Sequence, residues 1–320
     1  MAPADPDIVA VAPGNHGIPI ETLATAVAER LPEYTVATAK TPAQKRRRLR
    51  HARVATGIDL EPTYLEDAES LALFACSYAG TGHLELDAFE DHDIAVTNAA
   101  GVHGPNIGEY VLGAILAHVR RFETGMRRQR RNEWRHFQAD ELMGSTVTVV
   151  GLGAIGRAIV ERLEGFGVTT IGVRYTPEKG GPTDEVIGFD RPALHEALAR
   201  TDVLVLACPL TETTEGLIGD AELVTMPPDA LVVNIARGKV IETDALVANL
   251  RDNFLGGAVL DVTDPEPLPA DHPLWDLENV RITPHNAGHT PKYFDRLADI
   301  LAENVAMLER GEHDFKNRVV

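Results

Sequence analysis

Two cysteines, Cys76 and Cys208, are all that this 320-residue chain contains. Both lie in strand-like apolar runs, which excludes a disulfide scaffold and points to reduced, buried thiols. No Cys/His spacing fits zinc and the carboxylates are dispersed, so no metal site is nominated. Long apolar runs are missing too. Nothing approaches the roughly 20 residues that a membrane-crossing helix needs. No signal peptide or low-complexity tail is visible either, and a soluble cytoplasmic protein with no membrane partner is expected. Lysine is scarce: 6 of the 30 basic residues, the other 24 being arginine.

Acid is abundant. Forty-eight Asp and Glu against 30 Lys and Arg give a net charge of -18. Much carboxylate, little lysine and many Ala and Val form the composition of proteins from a high-salt cytoplasm, where charged surfaces hold a hydrated shell. That balance also disfavours nucleic acid as a partner. Two basic runs stand against it, at residues 45–53 and 127–135, and both read as solvated helix faces. The second contains Trp134, which suits an interface.

Strand-like and helix-like segments alternate through the chain, the pattern of parallel sheets covered by helices. Early strands are expected at 7–11, 34–38, 71–76 and 94–97, with a helix over 18–31. A later series is expected at 146–150, 168–173, 202–208, 230–236, 257–260 and 280–283, with a helix over 243–250. A last helix, about 291–310, should return to the first sheet. The expected plan is therefore a smaller substrate domain, 1–98 plus 289–320, interrupted by a cofactor domain over 99–288. The crossings near residues 99–101 and 286–288 would be hinges for closure over substrate.

The run ending at Val150 leads into Gly151, Gly153 and Gly156, a GxGxxG loop opening an amphipathic helix. Gly151 permits the tight turn, Gly153 lets amides approach a pyrophosphate, and Gly156 lets helix and strand pack closely. Ala154 and Ile155 then begin a helix whose N-terminus favours phosphate. An NAD site usually carries an acid at the end of the next strand, about 20 residues on. Here Arg174, Tyr175 and Thr176 stand instead. An arginine there can pair with a 2′-phosphate and stack on adenine, so NADP(H) is preferred, with NAD(H) the alternative.

Three later strand ends carry Arg237, then Asp261 and Glu266, then His285. An arginine clamps a carboxylate by two parallel hydrogen bonds. A glutamate beside a histidine favours its protonated form, and such a histidine exchanges protons in carbonyl/alcohol chemistry near neutral pH. Hydride transfer on 2-keto or 2-hydroxy acids is the reading. His103 and His289 read as solvated loop residues.

Together with residues 79–83, 96–102 and 208–214, these motifs resemble the D-isomer-specific 2-hydroxyacid dehydrogenases over nearly the whole length. The resemblance implies an α/β fold of two doubly wound parallel-sheet domains, a Rossmann-type cofactor domain inserted into a flavodoxin-like one. By the same resemblance, Arg237 binds the substrate carboxylate and polarises the keto oxygen, His285 is the acid/base, and Glu266 supports it. Asp261 would hold the nicotinamide carboxamide, with Cys208, Pro209, Thr214, Ala236 and Gly288 among the cofactor contacts. Backbone amides around Ala79 and Gly80 would form the second grip on the substrate carboxylate, with Tyr78 among the substrate-binding residues of the pocket wall. A homodimer is implied, with residues 127–135 in its arm. The chain departs from the family pattern at Asn286, usually apolar. Dinucleotide-sensing corepressors, and oxidoreductases specific for glyoxylate, hydroxypyruvate or phosphite, are the alternatives. Formate enzymes pair the histidine with glutamine, which Glu266 opposes.

Overall fold

The computed structural model describes residues 5–15 and 17–320. It divides into two compact units, one made by the chain up to Val102 together with His289–Val320, the other by His103–Gly288.

In the first unit β1 (Ile8–Val11), α1 (Ile20–Arg30), β2 (Val36–Ala39), α2 (Pro42–Leu49), β3 (Val54–Gly57), α3 (Pro62–Leu65), β4 (Leu73–Cys76), α4 (Leu86–Glu90) and β5 (Ala95–Thr97) follow in order. The strands form one parallel sheet in the order β2-β1-β3-β4-β5. Strands β1, β3 and β4 are buried along their whole length, as strands covered on both faces must be. β3 is not expected from sequence. Its four residues, Val-Ala-Thr-Gly, have neither an apolar run nor alternation, and Thr56 is tolerated inside because its hydroxyl donates to Ala75 O at 2.9 Å. The first part of the first basic run, to Leu49, lies on α2, started by Thr41, whose hydroxyl accepts from Gln44 N. Its Arg46 pairs with Asp67 at 3.2 Å, and Lys45 and Arg46 lie over the Tyr64 ring.

The second unit comprises α5 (Gly104–Val119), α6 (Phe122–Arg130), β6 (Thr146–Val150), α7 (Ala154–Leu163), β7 (Thr169–Val173), β8 (Glu185–Ile187), α8 (Arg191–Leu198), β9 (Val203–Leu206), α9 (Asp220–Thr225), β10 (Leu231–Asn234), α10 (Thr243–Arg251), β11 (Gly257–Leu260) and β12 (Val280–Ile282). Its seven strands are parallel, in the order β12-β11-β10-β9-β6-β7-β8. The chain reverses direction across the sheet between β6 and β9, where such sheets leave a ligand crevice at their carboxyl ends. One core layer sets Leu204, Leu206 and Val232 against Leu246 and Leu250, and the other sets Val147, Val149 and Val205 against Ile107, Val111 and Ile159. β8 is a second strand that the sequence does not announce.

After β12 the chain returns to the first unit as α11 (Tyr293–Glu309). Phe294, Leu297, Leu301, Val305 and Leu308 share one helical face and pack with Leu23 and Val27 of α1. Arg30 of α1 pairs with Asp299 and Asp295 of α11. Among the described residues no helix is long and apolar enough to cross a membrane.

Candidate active site

The end of β6 turns sharply into α7. Gly151 has φ of +99°, and a methyl on it would stand 2.7 Å from Ala207 O. A methyl on Gly156 would stand 1.9 Å from Gly151 O, so helix and turn approach as only glycine allows. Over Gly153 there is open space, and no side chain caps the helix that Ala154 and Ile155 begin. Uncapped amides at the positive end of a ten-residue helix, under an open cradle, fit the pyrophosphate of a dinucleotide.

Arg174 directly follows β7. Its backbone N–H donates to Ile187 O and its guanidinium to Gly180 O at 2.6 Å. No carboxylate pairs with it among the described residues. Tyr175 is 81% exposed and tilts toward Phe189, and Thr176 is exposed beside it. Beyond β9, Cys208 is buried, and burial pushes its thiol up to about 11, which makes it an inert packing group. Pro209 is exposed. The buried Thr214 hydroxyl donates to Pro209 O at 2.6 Å and accepts from Thr211 N at 2.8 Å, bracing that loop.

Three adjacent strand ends carry the remaining groups. After β10, the buried Asn234 side chain accepts from the Ala236 amide and donates to Arg237 O, both at 3.0 Å. That staple presents Arg237 outward, with one guanidinium N–H on Ala236 O at 2.6 Å. Gly238 lies so close to Thr263 that a methyl would overlap its carbonyl at 2.1 Å, which ties the arginine turn to the loop leading to Glu266. Glu266 and His285 meet at 2.7 Å through His285 Nδ1, with side chains 43% and 51% exposed. The bond to Glu266 takes up Nδ1, the opposite ring nitrogen being Nε2.

Asp261, 3% exposed, organises the histidine turn. Its carboxylate accepts from the amides of Asn286 and Ala287 at 2.8 and 2.9 Å and from the Thr283 hydroxyl at 2.5 Å. Its own carbonyl accepts from the His285 amide at 2.8 Å. Because Thr283 donates to the carboxylate, the Tyr110 hydroxyl of α5, 2.6 Å away, donates to Thr283. Burial, with the Asp261 charge adding to it, raises the Tyr110 pKa, while the Thr283 bond works against both. Gly288 lies under the His103 ring, where an added methyl would stand 3.3 Å from Nδ1. Sequence reasoning assigns no role to Asn234, Thr283 or Tyr110. The first two stand inside motifs, but Tyr110 lies 173 positions from its partner and leaves no local signal.

In the first unit, Tyr78, Ala79 and Gly80 follow β4. Tyr78 O accepts from the Ala99 amide and Ala79 O from Asn98 Nδ2 at 2.8 Å, so the loop's carbonyls are tied down. Beneath it, Asn15 and Tyr293 both donate to Ser77 O. Among the described residues no group of His, Cys, Asp and Glu could hold a metal ion.

Residues 112–287 match the family model for the D-isomer specific 2-hydroxyacid dehydrogenase NAD binding domain. The chain is 31% identical over 262 residues to the glyoxylate reductase of Pyrococcus furiosus, covering 79% of this chain and 77% of that one. It is also 31% identical over 300 residues to the D-3-phosphoglycerate dehydrogenase of Methanocaldococcus jannaschii, covering 92% of this chain but only 57% of that protein's length. A crystal structure of a D-isomer specific 2-hydroxyacid dehydrogenase from Xanthobacter autotrophicus Py2, in complex with NADPH and MES, superposes with a TM-score of 0.78 at 28% identity, covering 99% and 98% of the two chains.

Proposed function

The chain belongs to the D-isomer-specific 2-hydroxyacid dehydrogenase family, and from that premise we propose that it is an NADP(H)-dependent reductase of small 2-keto acids. The observation that carries the reading is the 2.7 Å His285–Glu266 pair beside an outward-facing Arg237, all at the carboxyl edge of neighbouring strands. A dinucleotide held by its pyrophosphate at the Gly151–Gly156 cradle would supply the hydride from its reduced nicotinamide ring. Arg237 grips the substrate carboxylate and offsets charge growing on the keto oxygen, an interaction stronger in the transition state than before it. His285 delivers a proton from Nε2 to that oxygen. Glu266 accepts the Nδ1 hydrogen, fixes the ring and offsets the imidazolium charge. In oxidation the neutral imidazole takes the proton back.

Support for NADP(H) over NAD(H) comes from Arg174 at the end of β7, with Thr176 beside it and no acid in its place. The Xanthobacter relative, in complex with NADPH, agrees with it. The working species in this reading is a cytoplasmic homodimer, for which α6 and its sequel offer exposed Phe122, Met126 and Trp134.

The test is initial-rate reduction of a 2-keto-acid panel with NADPH and NADH side by side in about 2–3 M salt, where surface repulsion is screened. Turnover with NADPH and a clear side-chain preference is expected. Turnover with NADH alone would remove the NADP(H) part. Cofactor binding without any turnover would make the protein a dinucleotide sensor or an enzyme of a non-carbonyl substrate.

A further inference from the structure

Arg174 directly follows β7, and an arginine on such a turn ordinarily samples many rotamers before it meets a ligand. Here it is restrained. One guanidinium nitrogen donates to Gly180 O at 2.6 Å, and the other N–H groups of the planar fork stay available. Gly180 closes the short helical turn Pro177–Lys179, its amide donating back to Pro177 O at 2.9 Å. Its backbone stands at φ 57° and ψ -163°, a region essentially reserved for glycine. The direction of the carbonyl that holds Arg174 therefore depends on the absence of a side chain at 180.

The segment is also fixed to the phosphate loop. Leu152, between Gly151 and Gly153, is buried against both Gly172 and Gly181, where added methyls would come within 2.4 and 2.5 Å of its Cδ1. The pyrophosphate cradle and the turn that holds Arg174 thus share one packed side chain.

Building on the NADP(H) reading, we propose that Gly180 is a specificity-determining positioning residue, whose carbonyl holds the Arg174 guanidinium ready for the 2′-phosphate of the cofactor. It touches no cofactor atom itself. Its effect should fall on cofactors that carry the 2′-phosphate and spare those that lack it.

Gly180→Ala is a clean probe, because a methyl there meets nothing within 4 Å and acts only through the backbone. Binding is measured by titration calorimetry with NADP+, NAD+, adenosine 2′,5′-bisphosphate and AMP, in parallel with Arg174→Ala and the unaltered protein. Gly180→Ala should weaken NADP+ and the bisphosphate about tenfold, the order of a lost charge-assisted hydrogen bond, and leave NAD+ and AMP within about twofold. Arg174→Ala should do the same or more. If Arg174→Ala weakens the 2′-phosphorylated ligands and Gly180→Ala does not, the positioning role is overturned while the NADP(H) reading stands. If Arg174→Ala leaves them untouched, that reading falls and the role with it. Equal weakening of all four ligands by Gly180→Ala would make it a general brace of the site and overturn its part in selectivity.

Discussion

His285 has φ of 53°, in the left-handed region that non-glycine residues enter at a cost of about 1 kcal/mol or more. What keeps it there is the Asp261 web, which grips the amides on and after the histidine, and which Tyr110 closes from α5 through Thr283. Thr283→Val keeps the shape and deletes the hydroxyl link. It should lower kcat about tenfold with little change in KM, because a displaced acid costs rate more than binding. Tyr110→Phe should act in the same direction and more weakly. Steady-state kinetics at fixed saturating cofactor decide it, and an unaltered kcat in Thr283→Val would refute the role of the web. Arg237→Lys should lose about a hundredfold or more in kcat/KM, since an ammonium cannot reproduce a fork that binds a carboxylate and an oxygen together. With His285 as the proton source, His285→Gln should lower kcat about a hundredfold or more, the order of a lost general acid. An unaltered kcat in His285→Gln would remove His285 from that role. The chemistry at these strand ends is legible because Arg237, Glu266 and His285 each closely follow an apolar run. The web is not, because side chains from α5 and from the turns after β11 and β12 meet only in the fold.

At the level of elements, α5 is more than a cover for the sheet. Its His118 ring packs against the first residue of β11, where a methyl on Gly257 would stand 2.7 Å from the ring. Burial first, then the positive charges of Arg281 and Arg121, hold the His118 pKa below its ordinary 6.5, with Glu123 and Asp140 opposing more weakly. The folded state therefore prefers the neutral ring, and the unfolded chain binds the extra proton more readily. That contribution to stability is complete above 6.5 and is lost as pH falls through the depressed folded value. His118→Gln, which cannot charge, should flatten the fall of melting temperature between neutral and mildly acid pH. Parallel melting curves for variant and parent, equally steep across that range, would exclude His118 as the source. Helix α11 and the strands of unbroken Val, Leu and Ile are readable from pattern. Strands β3 and β8 are not, since β3 is built of small residues and β8 is only Glu-Val-Ile, too short to show a period, and both owe their place to ladder partners in β1 and β7.

For the molecule as a whole, a net charge of -18 sets the dependence on salt. Several surface cations are already paired, as Arg53 is with Glu309 and Lys316 with Glu303, so the surplus is almost all carboxylate. Self-repulsion is screened over about 3 Å in 1 M salt and about 30 Å in 0.01 M. The melting temperature should therefore climb by several degrees or more as sodium or potassium chloride rises toward molar concentration. Differential scanning calorimetry across that range checks it, and a flat response would show the surplus to be neutral for stability. Composition makes that charge visible from the start; which carboxylates lie near one another only the fold can say. The return of α11 to α1 bears on synthesis as well. Residues 103–288 form a contiguous stretch that can complete its own core while the ribosome is still working. The sheet of β1–β5 gains the cover of α11 over α1 only once Leu297, Leu301 and Val305 have emerged, so an earlier-made segment completes its core after a later-made one.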